Sequence, residues 1–402
     1  MTKSLENSVK NSVAEAGQFV LVLQGGGALG AYQAGVYQAL HEAGIEPDWI
    51  IGTSIGAINA SLIAGNDPID RIAALKEFWG RITHHRPWHY FPVHPVFAQA
   101  MSYWSIAGGG VPHFFDPNLQ SFMGPNVKLG AERAGYYSTT PLQRTLTKLV
   151  DFERIGKSGP RLTVGAAAVR TSQMRYFDSS KEPIDVRHVM ASGALPPAFP
   201  AIRIDGELYW DGGVLSNTPT EIVFDDHPRK SSLIFAVHMW NPVGPEPETI
   251  WQVMHRQKDL QYSSRVASHI MRQKQAHRMR HMIKELADLV PPESRDSDIY
   301  REMVNWGCLT RMHVVRLLAS SLTHEDQTKD VDFSADGIRR RWRDGYEQAN
   351  RALDRAPWRH HGDPLDGVIL HEPPFIGVQE APSGAVAPEA TTSPIRALNA
   401  AE

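Results

Sequence analysis

The chain has 402 residues, a formal net charge of −3 at pH 7 and 42% hydrophobic residues, which suits a globular protein of two or three domains. The near-neutral charge disfavours a general nucleic-acid-binding role, and the single cysteine, Cys308, excludes a disulfide framework and a cysteine-based zinc site. No apolar run is long enough to span a bilayer, and the N-terminus lacks the apolar region of a secretory signal. We therefore expect a cytoplasmic protein.

The first half of the chain alternates between strand and helix patterns. Residues 1–17 are polar and are predicted to form a flexible N-terminus. A continuous apolar run at 19–23 is typical of a buried strand, and it leads through the loop GGGALG into a segment with helical spacing that stops at Gly44. A second strand at 49–51 leads through GTSIG into another helix. This order predicts an α/β domain with a parallel sheet.

Residues 78–137 form an insertion in which 13 of 60 residues are Phe, Trp or Tyr. We favour an irregular but packed segment, and the alternative is an apolar wall or lid for a substrate. Five histidines in or near it have no fixed ligand spacing, so we predict no metal site. They are His84, His85, His89, His94 and His113.

Strand patterns return after the insertion. Residues 161–169 and 233–237 are apolar runs, and 201–210 has the pattern of a hairpin with Asp205-Gly206 as its turn. We expect the α/β domain to span residues 18–240.

The remainder is predicted to contain a mainly helical C-terminal extension at 241–378 and a disordered, Ala- and Pro-containing tail at 379–402. Residues 250–285 have helical spacing, and eight Lys or Arg but one acidic residue lie between 251 and 284. We favour a solvated basic face whose opposite side packs on the core. Contact with an anionic membrane surface is the alternative.

The GTSIG motif places Ser54 at the centre of a G-x-S-x-G pattern, between a strand and a helix. A serine at such a sharp turn projects its hydroxyl above the sheet edge, and the flanking Gly52 and Gly56 leave room for the turn. This context predicts that Ser54 is a nucleophile.

The GGGALG loop fits both a dinucleotide fingerprint and a cradle of N–H groups for an oxyanion. A dinucleotide site needs an acidic residue at the end of the second strand, but Glu46 and Asp48 precede that strand and Ser54 follows it. We therefore favour an oxyanion hole beside the nucleophile.

A nucleophilic serine needs a base, and two candidates follow Ser54 in the chain. Asp211 opens a DGG sequence at the end of a predicted strand, although on these residues alone an Asp-Gly turn is the better explanation. His238 ends the strand at 233–237 and would complete a conventional Ser-Asp-His triad.

The motifs GGGALG, GTSIG and DGG, in this order, resemble the patatin-like phospholipase family. The segment ASGALPPAFPAI at 191–202 is also similar to the proline-containing block that precedes the aspartate of the family. These matches span residues 21–225. The resemblance implies a three-layer α/β/α sandwich with a mainly parallel central sheet, followed here by a mostly helical C-terminal region.

The resemblance also implies roles for individual residues. Ser54 would be the nucleophile and Asp211 the general base of a dyad without a catalytic histidine. Gly25, Gly26 and Gly27, with the N–H of Ala28, would form the oxyanion hole. The glycines that support the motifs are Gly30, Gly52, Gly56, Gly212 and Gly213. Many family members carry Arg or Lys where this chain has Leu29.

These observations predict a lipid acyl hydrolase that cleaves carboxylic esters of phospholipids or related lipids through an acyl-enzyme, without a metal or cofactor. We expect a lipid ester substrate, peripheral membrane contact and no nucleic-acid partner. Acyl transfer to an alcohol would use the same intermediate, and a non-catalytic lipid-surface adaptor is the alternative outside the enzymes. Acyl length, headgroup and oligomeric state are not predicted.

Overall fold

A mainly parallel β-sheet of nine strands is the centre of the structure. The computed structural model describes residues 3–84, 108–320, 328–360, 363 and 365–372. The strands of the sheet are β1 (Gln18–Leu23), β2 (Trp49–Thr53), β5 (Arg161–Ala168), β6 (Met174–Asp178), β7 (Ile202–Ile204), β8 (Glu207–Asp211), β9 (Ser232–His238), β10 (Met312–Leu318) and β11 (Val368–His371), while β3 (Asp116–Pro117) and β4 (Tyr137–Ser138) form a separate ribbon.

The strand order is β11-β10-β9-β1-β2-β5-β8-β7, with β6 pairing separately with β5. Neighbouring strands from β11 to β5 are parallel, whereas β6 and β8 run antiparallel to β5 and β7 runs antiparallel to β8. The carboxyl ends of β1 and β2 therefore meet at one edge of the sheet, where loops commonly carry function.

Helices cover both faces of the sheet. They are α1 (Lys3–Glu15), α2 (Ala31–Glu42), α3 (Ile55–Ala64), α4 (Arg71–Arg81), α5 (Thr140–Leu149), α6 (Val186–Ser192), α7 (Glu221–Phe224), α8 (Ile250–Asp288), α9 (Asp298–Trp306) and α10 (Ala335–Arg355). None of the helices in the described residues is both long and apolar enough to cross a membrane.

Alternate residues of β1 belong to two separate cores, because successive side chains of a strand point to opposite faces. Leu21 and Leu23 join a large core with residues of α2, α3 and α10, and Val20 and Val22 join a smaller core with residues of α7 and α8. This confirms the predicted layered α/β/α architecture.

The predicted hairpin is present as β7 and β8. Asp205 and Gly206 connect the two strands with φ values of 48° and 87°, which are the left-handed angles of a type I′ turn. The hairpin brings Asp211, the last residue of β8, next to Ala166 of β5.

The prediction of a flexible N-terminus at 1–17 was wrong, because α1 occupies most of this segment. Val9 and Val13, four residues apart on one side of the helix, are buried, and Ser12 accepts a hydrogen bond from the Trp358 indole at 3.1 Å. Two valines in a polar stretch make a narrow apolar stripe, which is too weak a pattern to identify a helix from sequence.

The C-terminal region is mostly helical, as predicted, but it also supplies strands β10 and β11 to the sheet. β10 pairs with β9 along seven residues, from Met312 opposite Ser232 to Leu318 opposite His238. The sheet thus continues past residue 240, the expected end of the α/β domain, and the described residues up to 372 belong to one compact unit.

The predicted basic helix is α8, which is 39 residues long. Ile270, His277 and His281 face the core. Met279, Met282 and Leu286 have the spacing of one helix face, and all three are exposed. The apolar side of this part of the helix is therefore not its packing side.

Part of the aromatic-rich insertion, residues 85–107, and the whole predicted tail at 379–402 lie outside the described residues. In the described part of the insertion, Phe114 and Phe115 are buried, and Phe115 packs on Phe199 with ring centroids 5.3 Å apart. By contrast, Phe122 and Met123 are exposed. The insertion is thus packed at one point and solvent-facing at another.

Candidate active site

Ser54 lies at the sharp turn between β2 and α3, with φ 57° and ψ −124°. A non-glycine residue in this region of backbone space is strained by about 1–3 kcal/mol, and such strain is concentrated at functional sites. The turn also requires glycine two residues later, because a Cβ on Gly56 would overlap the carbonyl oxygen of Leu23. The structure therefore has the elbow that the G-x-S-x-G motif predicted.

Ser192, the last residue of α6, stabilises the turn at Ser54 through two hydrogen bonds. The Ser54 N–H donates to the Ser192 hydroxyl at 2.9 Å, and that hydroxyl donates to the Gly165 carbonyl oxygen at 2.6 Å. The bridge fixes the backbone of Ser54 against β5. Sequence reasoning did not single out Ser192, although it lies in the proline-containing segment at 191–202.

The Ser54 hydroxyl lies close enough to the carboxyl group of Asp211 to lower the pKa of that group. The carboxyl group accepts the Gly213 N–H at 2.7 Å, within the turn that the DGG sequence forms. Asp211 is only 2% exposed. Burial raises the pKa of Asp211 to about 7, and the nearby Ser54 hydroxyl and the Gly213 N–H limit this rise. A carboxylate with this pKa is suited to accept a proton near neutral pH.

The glycine-rich loop lies directly beside the serine, since a Cβ placed on Gly25 would be 3.1 Å from the Ser54 Cβ. The loop continues into a 3₁₀ turn at Gly27–Gly30 that leads into α2. The N–H groups of Gly26, Gly27 and Ala28 have no acceptor in the part of the chain that the structure describes. They are available to a ligand.

Gly25 does not fit the predicted role of an oxyanion donor. Its N–H donates to the Asn217 carbonyl oxygen at 3.2 Å and is therefore already used. The Gly25 carbonyl oxygen accepts from Asn217 Nδ2 at 3.1 Å and from Trp240 Nε1 at 2.8 Å. Gly25 thus anchors the loop, and Gly26, Gly27 and Ala28 remain as candidates among the predicted donors.

The C-terminal region also contacts the glycine-rich loop. Gly27 has φ 56°, and a Cβ there would overlap the carbonyl oxygen of Asp330. The Asp330 carboxylate accepts hydrogen bonds from Lys258 of α8 at 2.7 and 2.9 Å. The neighbouring Lys329 is buried, pairs with Asp259 at 2.7 Å and lies 5.0 Å from the Trp240 ring centroid.

Tyr262 of α8 lies near Asp211. Its carbonyl oxygen accepts from Gln24 Nε2 at 3.2 Å, and its ring packs on Trp240 with centroids 4.9 Å apart. Burial and the nearby charge of Asp211 raise the pKa of Tyr262 to about 12. The phenol is therefore protonated at all physiological pH values, and its hydroxyl makes no hydrogen bond within the described residues.

We expect replacement of Lys258 by Gln to lower kcat for ester hydrolysis about fivefold. The partly exposed ion pair of Lys258 with Asp330 stabilises the position of Asp330, whose carbonyl group contacts Gly27. Lys284→Gln on the same helix is the matched control, since Lys284 pairs with Asp288 at 3.0 Å far from the loop. Initial rates and melting temperatures of both variants test whether the ion pair supports activity. Equal kcat values for the two would contradict the role of the ion pair.

His238 is not placed to complete a triad with Asp211. Four strand spacings separate β9 from β8, roughly 19 Å at about 4.8 Å per spacing. His238 is buried, and its Nε2 has no hydrogen-bond partner among the residues that the structure describes. Burial and the nearby charge of Arg316 lower the pKa of His238 to about 3. It is a neutral core residue.

Replacing His238 with Leu should therefore leave kcat within about threefold of the wild-type value, since no group of the reaction is removed. The measurement is kcat per active site on a soluble ester, with circular dichroism to confirm folding. A loss of several orders of magnitude in a folded variant would restore the triad hypothesis.

No group of three or more His, Cys, Asp or Glu side chains that could hold a metal ion is found among the described residues. His85, His89 and His94 lie outside those residues, and His84 and His113 do not take part in such a group.

Comparison with known families gives two matches. The family model described as patatin-like phospholipase matches residues 21–224, which include Ser54 and Asp211. A second model, DUF3734, described as patatin phospholipase, matches residues 260–365, which include Tyr262 and Asp330. The two matches together cover both the strand-end motifs and the C-terminal residues that contact them.

Individual relatives match part of the chain. It is 26% identical over 260 residues to the lysophospholipase nte1 of Aspergillus niger, covering 59% of this chain and 14% of that protein. It is 31% identical over 207 residues to an uncharacterised NTE family protein of Mycobacterium tuberculosis, covering 51% and 28%. The chain thus spans a small part of the length of these relatives. The crystal structure of VipD from Legionella pneumophila aligns with a TM-score of 0.38 at 16% identity, covering 84% of this chain and 66% of that chain.

Proposed function

Because this chain belongs to the patatin-like phospholipase family, we propose that it is a lipid ester hydrolase in which Ser54 attacks the acyl carbon and Asp211 accepts the serine proton. The observation that carries this proposal is the position of Ser54, at a strained strand-to-helix turn and beside the buried carboxyl group of Asp211. An isolated serine is a weak nucleophile, and a base in hydrogen-bond contact activates it.

In the first step, Asp211 takes the hydroxyl proton as the Ser54 oxygen forms a bond to the ester carbonyl carbon. The carbonyl oxygen becomes an oxyanion. The N–H groups of Gly26, Gly27 and Ala28 are free to donate to it, and each such donor is worth about 3 kcal/mol in acyl-transfer sites.

The tetrahedral intermediate then breaks its bond to the leaving alcohol, which takes the proton from Asp211. An ester between Ser54 and the acyl group remains. In the second half-reaction Asp211 removes a proton from water, the hydroxide attacks the same carbon, and the fatty acid leaves as Ser54 regains its proton. The same two groups thus serve both halves of the cycle.

The substrate we propose is a phospholipid or lysophospholipid. The support is the description of the fungal relative as a lysophospholipase. Exposed Ile250, Trp251 and Met254 at the start of α8 would suit peripheral contact with a lipid surface. The Tyr262 hydroxyl, protonated and without a partner among the described residues, would offer a donor to a polar group of the bound lipid.

A fluorophosphonate probe tests the proposal, because it labels only an activated serine. We expect one phosphonylated peptide containing Ser54, together with turnover of p-nitrophenyl esters from C4 to C16 and release of fatty acid from lysophosphatidylcholine. Mixed micelles are included so that a requirement for an interface is not mistaken for inactivity. A folded chain that is neither labelled nor active with micelles would be a non-catalytic lipid-surface protein.

The pH dependence follows from the raised pKa of Asp211. Only the ionised carboxylate accepts a proton, so kcat/KM should fall about tenfold per pH unit below the pKa of about 7 and level off above it. Rates on a neutral ester between pH 5 and 9 measure this directly. A profile that is flat down to pH 5 would mean that Asp211 is not the base.

A further inference from the structure

A cluster of basic groups that the proposed reaction does not use lies at the amino-terminal ends of the parallel strands, opposite the strand ends that carry Ser54. Arg229 lies in the loop before β9, and His277 and Arg280 lie on α8. β9, β10 and β11 all begin here, whereas Ser54 follows the carboxyl end of β2. A strand as long as β9 separates the two edges by roughly 20 Å.

Each of these side chains has buried polar atoms that are not hydrogen-bonded. Arg229 Nε, Arg280 Nη1 and both ring nitrogens of His277 have no hydrogen-bond partner among the described residues. Neither arginine forms an ion pair within 4.0 Å in the part of the chain that the structure describes. Buried donors in proteins are satisfied in the great majority of cases, so a group of them at one place indicates a bound ion or water.

Among the described residues, no acidic side chain pairs with the two arginines of the cluster. Burial is the largest cause that lowers the pKa of Arg280, and the positive charge of nearby Arg229 is the second largest. Asp225 opposes this effect, but it is exposed and forms no ion pair with Arg280. Two guanidinium groups that repel each other at a partly buried place would be stabilised by an anion between them.

We propose that Arg229, Arg280 and His277 form a binding site for a phosphate group at the amino-terminal edge of the sheet. Guanidinium groups offer paired N–H donors that match the oxygens of phosphate, and two of them can bind one tetrahedral anion from two sides. His277 is fully buried and its Phe224 neighbour, at 5.9 Å between ring centroids, closes the site on its apolar side. The phosphate belongs either to a soluble compound or to a lipid headgroup.

The site is tested by the melting temperature of the full chain in 10 mM sodium phosphate and in sodium chloride of equal ionic strength, at pH 7.5. We expect phosphate to raise the melting temperature by about 3 °C. Arg229→Gln and Arg280→Gln should each lose this rise, while Arg272→Gln, which removes an exposed charge from the same helix, should keep it. Two variants are used because one of them could fail to fold.

A structural role for the arginines predicts a different result. If they only supported the fold, their removal would lower the melting temperature in phosphate-free buffer. As a phosphate site, Arg229→Gln should melt at the wild-type temperature or above it in that buffer, because it relieves the repulsion with Arg280. Basal ester hydrolysis should be unchanged, since the site is remote from Ser54.

Vesicle sedimentation distinguishes the two sources of phosphate. Binding to vesicles that contain phosphatidic acid, but not to phosphatidylcholine alone, would assign a lipid headgroup if Arg280→Gln abolishes it. A phosphate-specific rise in melting temperature without such vesicle binding would assign a soluble phosphate compound. If the wild-type chain shows neither effect, or if both arginine variants retain them, the proposal is wrong.

Discussion

Replacing Ser54 with Ala is expected to reduce kcat for ester hydrolysis by roughly 10⁴-fold or more, because it removes the atom that forms the acyl-enzyme. The fold should survive, since the Ser54 N–H bond to Ser192 and the glycine positions around the turn do not involve the lost hydroxyl. The measurement is the initial rate on a p-nitrophenyl ester, after the variant has been shown to have wild-type circular dichroism.

The same variant should also fail to react with the fluorophosphonate probe. Ser192→Ala is a useful comparison because it removes a neighbouring hydroxyl that supports the turn without touching the substrate. We expect it to be labelled, at a lower rate than wild type. Full activity in Ser54→Ala would mean that another residue is the nucleophile.

Replacing Asp211 with Asn is expected to lower kcat by about 10⁴-fold, because the amide keeps the shape of the side chain but cannot accept the serine proton. Its oxygen can still accept the Gly213 N–H, so the local turn should persist. This variant tests the base, whereas Ser54→Ala tests the nucleophile.

Asp211→Asn should also be more stable than wild type at pH 8. Burial raises the pKa of Asp211 in the folded chain to about 7 from 3.8, so the folded state binds the proton more tightly than the unfolded state. Stability is therefore lost as the pH rises from about 4 to 7, and the full cost above pH 7 is on the order of 4 kcal/mol. Melting temperatures at pH 5 and pH 8 measure it. A variant that is less stable at pH 8 would indicate a structural role for the carboxylate.

The sequence predicted those parts of the site that short motifs determine. Ser54 and the glycines of its turn lie within five consecutive residues, and their local geometry follows from steric limits that each residue type sets. Asp211 was identified through the family resemblance and not from its own surroundings, because a DGG sequence has a simpler explanation as a turn. Its contact with Ser54 depends on the pairing of β8 with β5.

The errors concern contacts between distant parts of the chain. The Gly25 N–H was expected to serve the oxyanion, but Asn217, which lies 192 residues away, supplies an acceptor for it. Likewise, Lys258 and Asp330 show no motif that would connect them with the glycine-rich loop. Only the folding of the C-terminal region onto the site brings them there.

The strands β10 and β11 were missed for a different reason. The segment Met312–Leu318 contains an apolar run with Val314 and Val315, which is itself a strand pattern. From the sequence, this segment was assigned to the mainly helical extension at 241–378 and was not considered separately. Reading that run on its own would have predicted a strand, although not its pairing with β9.

The pairing of β10 with β9 covers one side of a buried, apolar strand. All seven residues of β9 are buried, and β9 has β1 on one side and β10 on the other. A chain ending at residue 240 would leave one row of β9 N–H and C=O groups open, along a strand as apolar as SLIFAVH. Such an edge is a template for pairing with another chain. We therefore expect a chain that ends at residue 240 to self-associate more readily than a chain that includes β10 and β11.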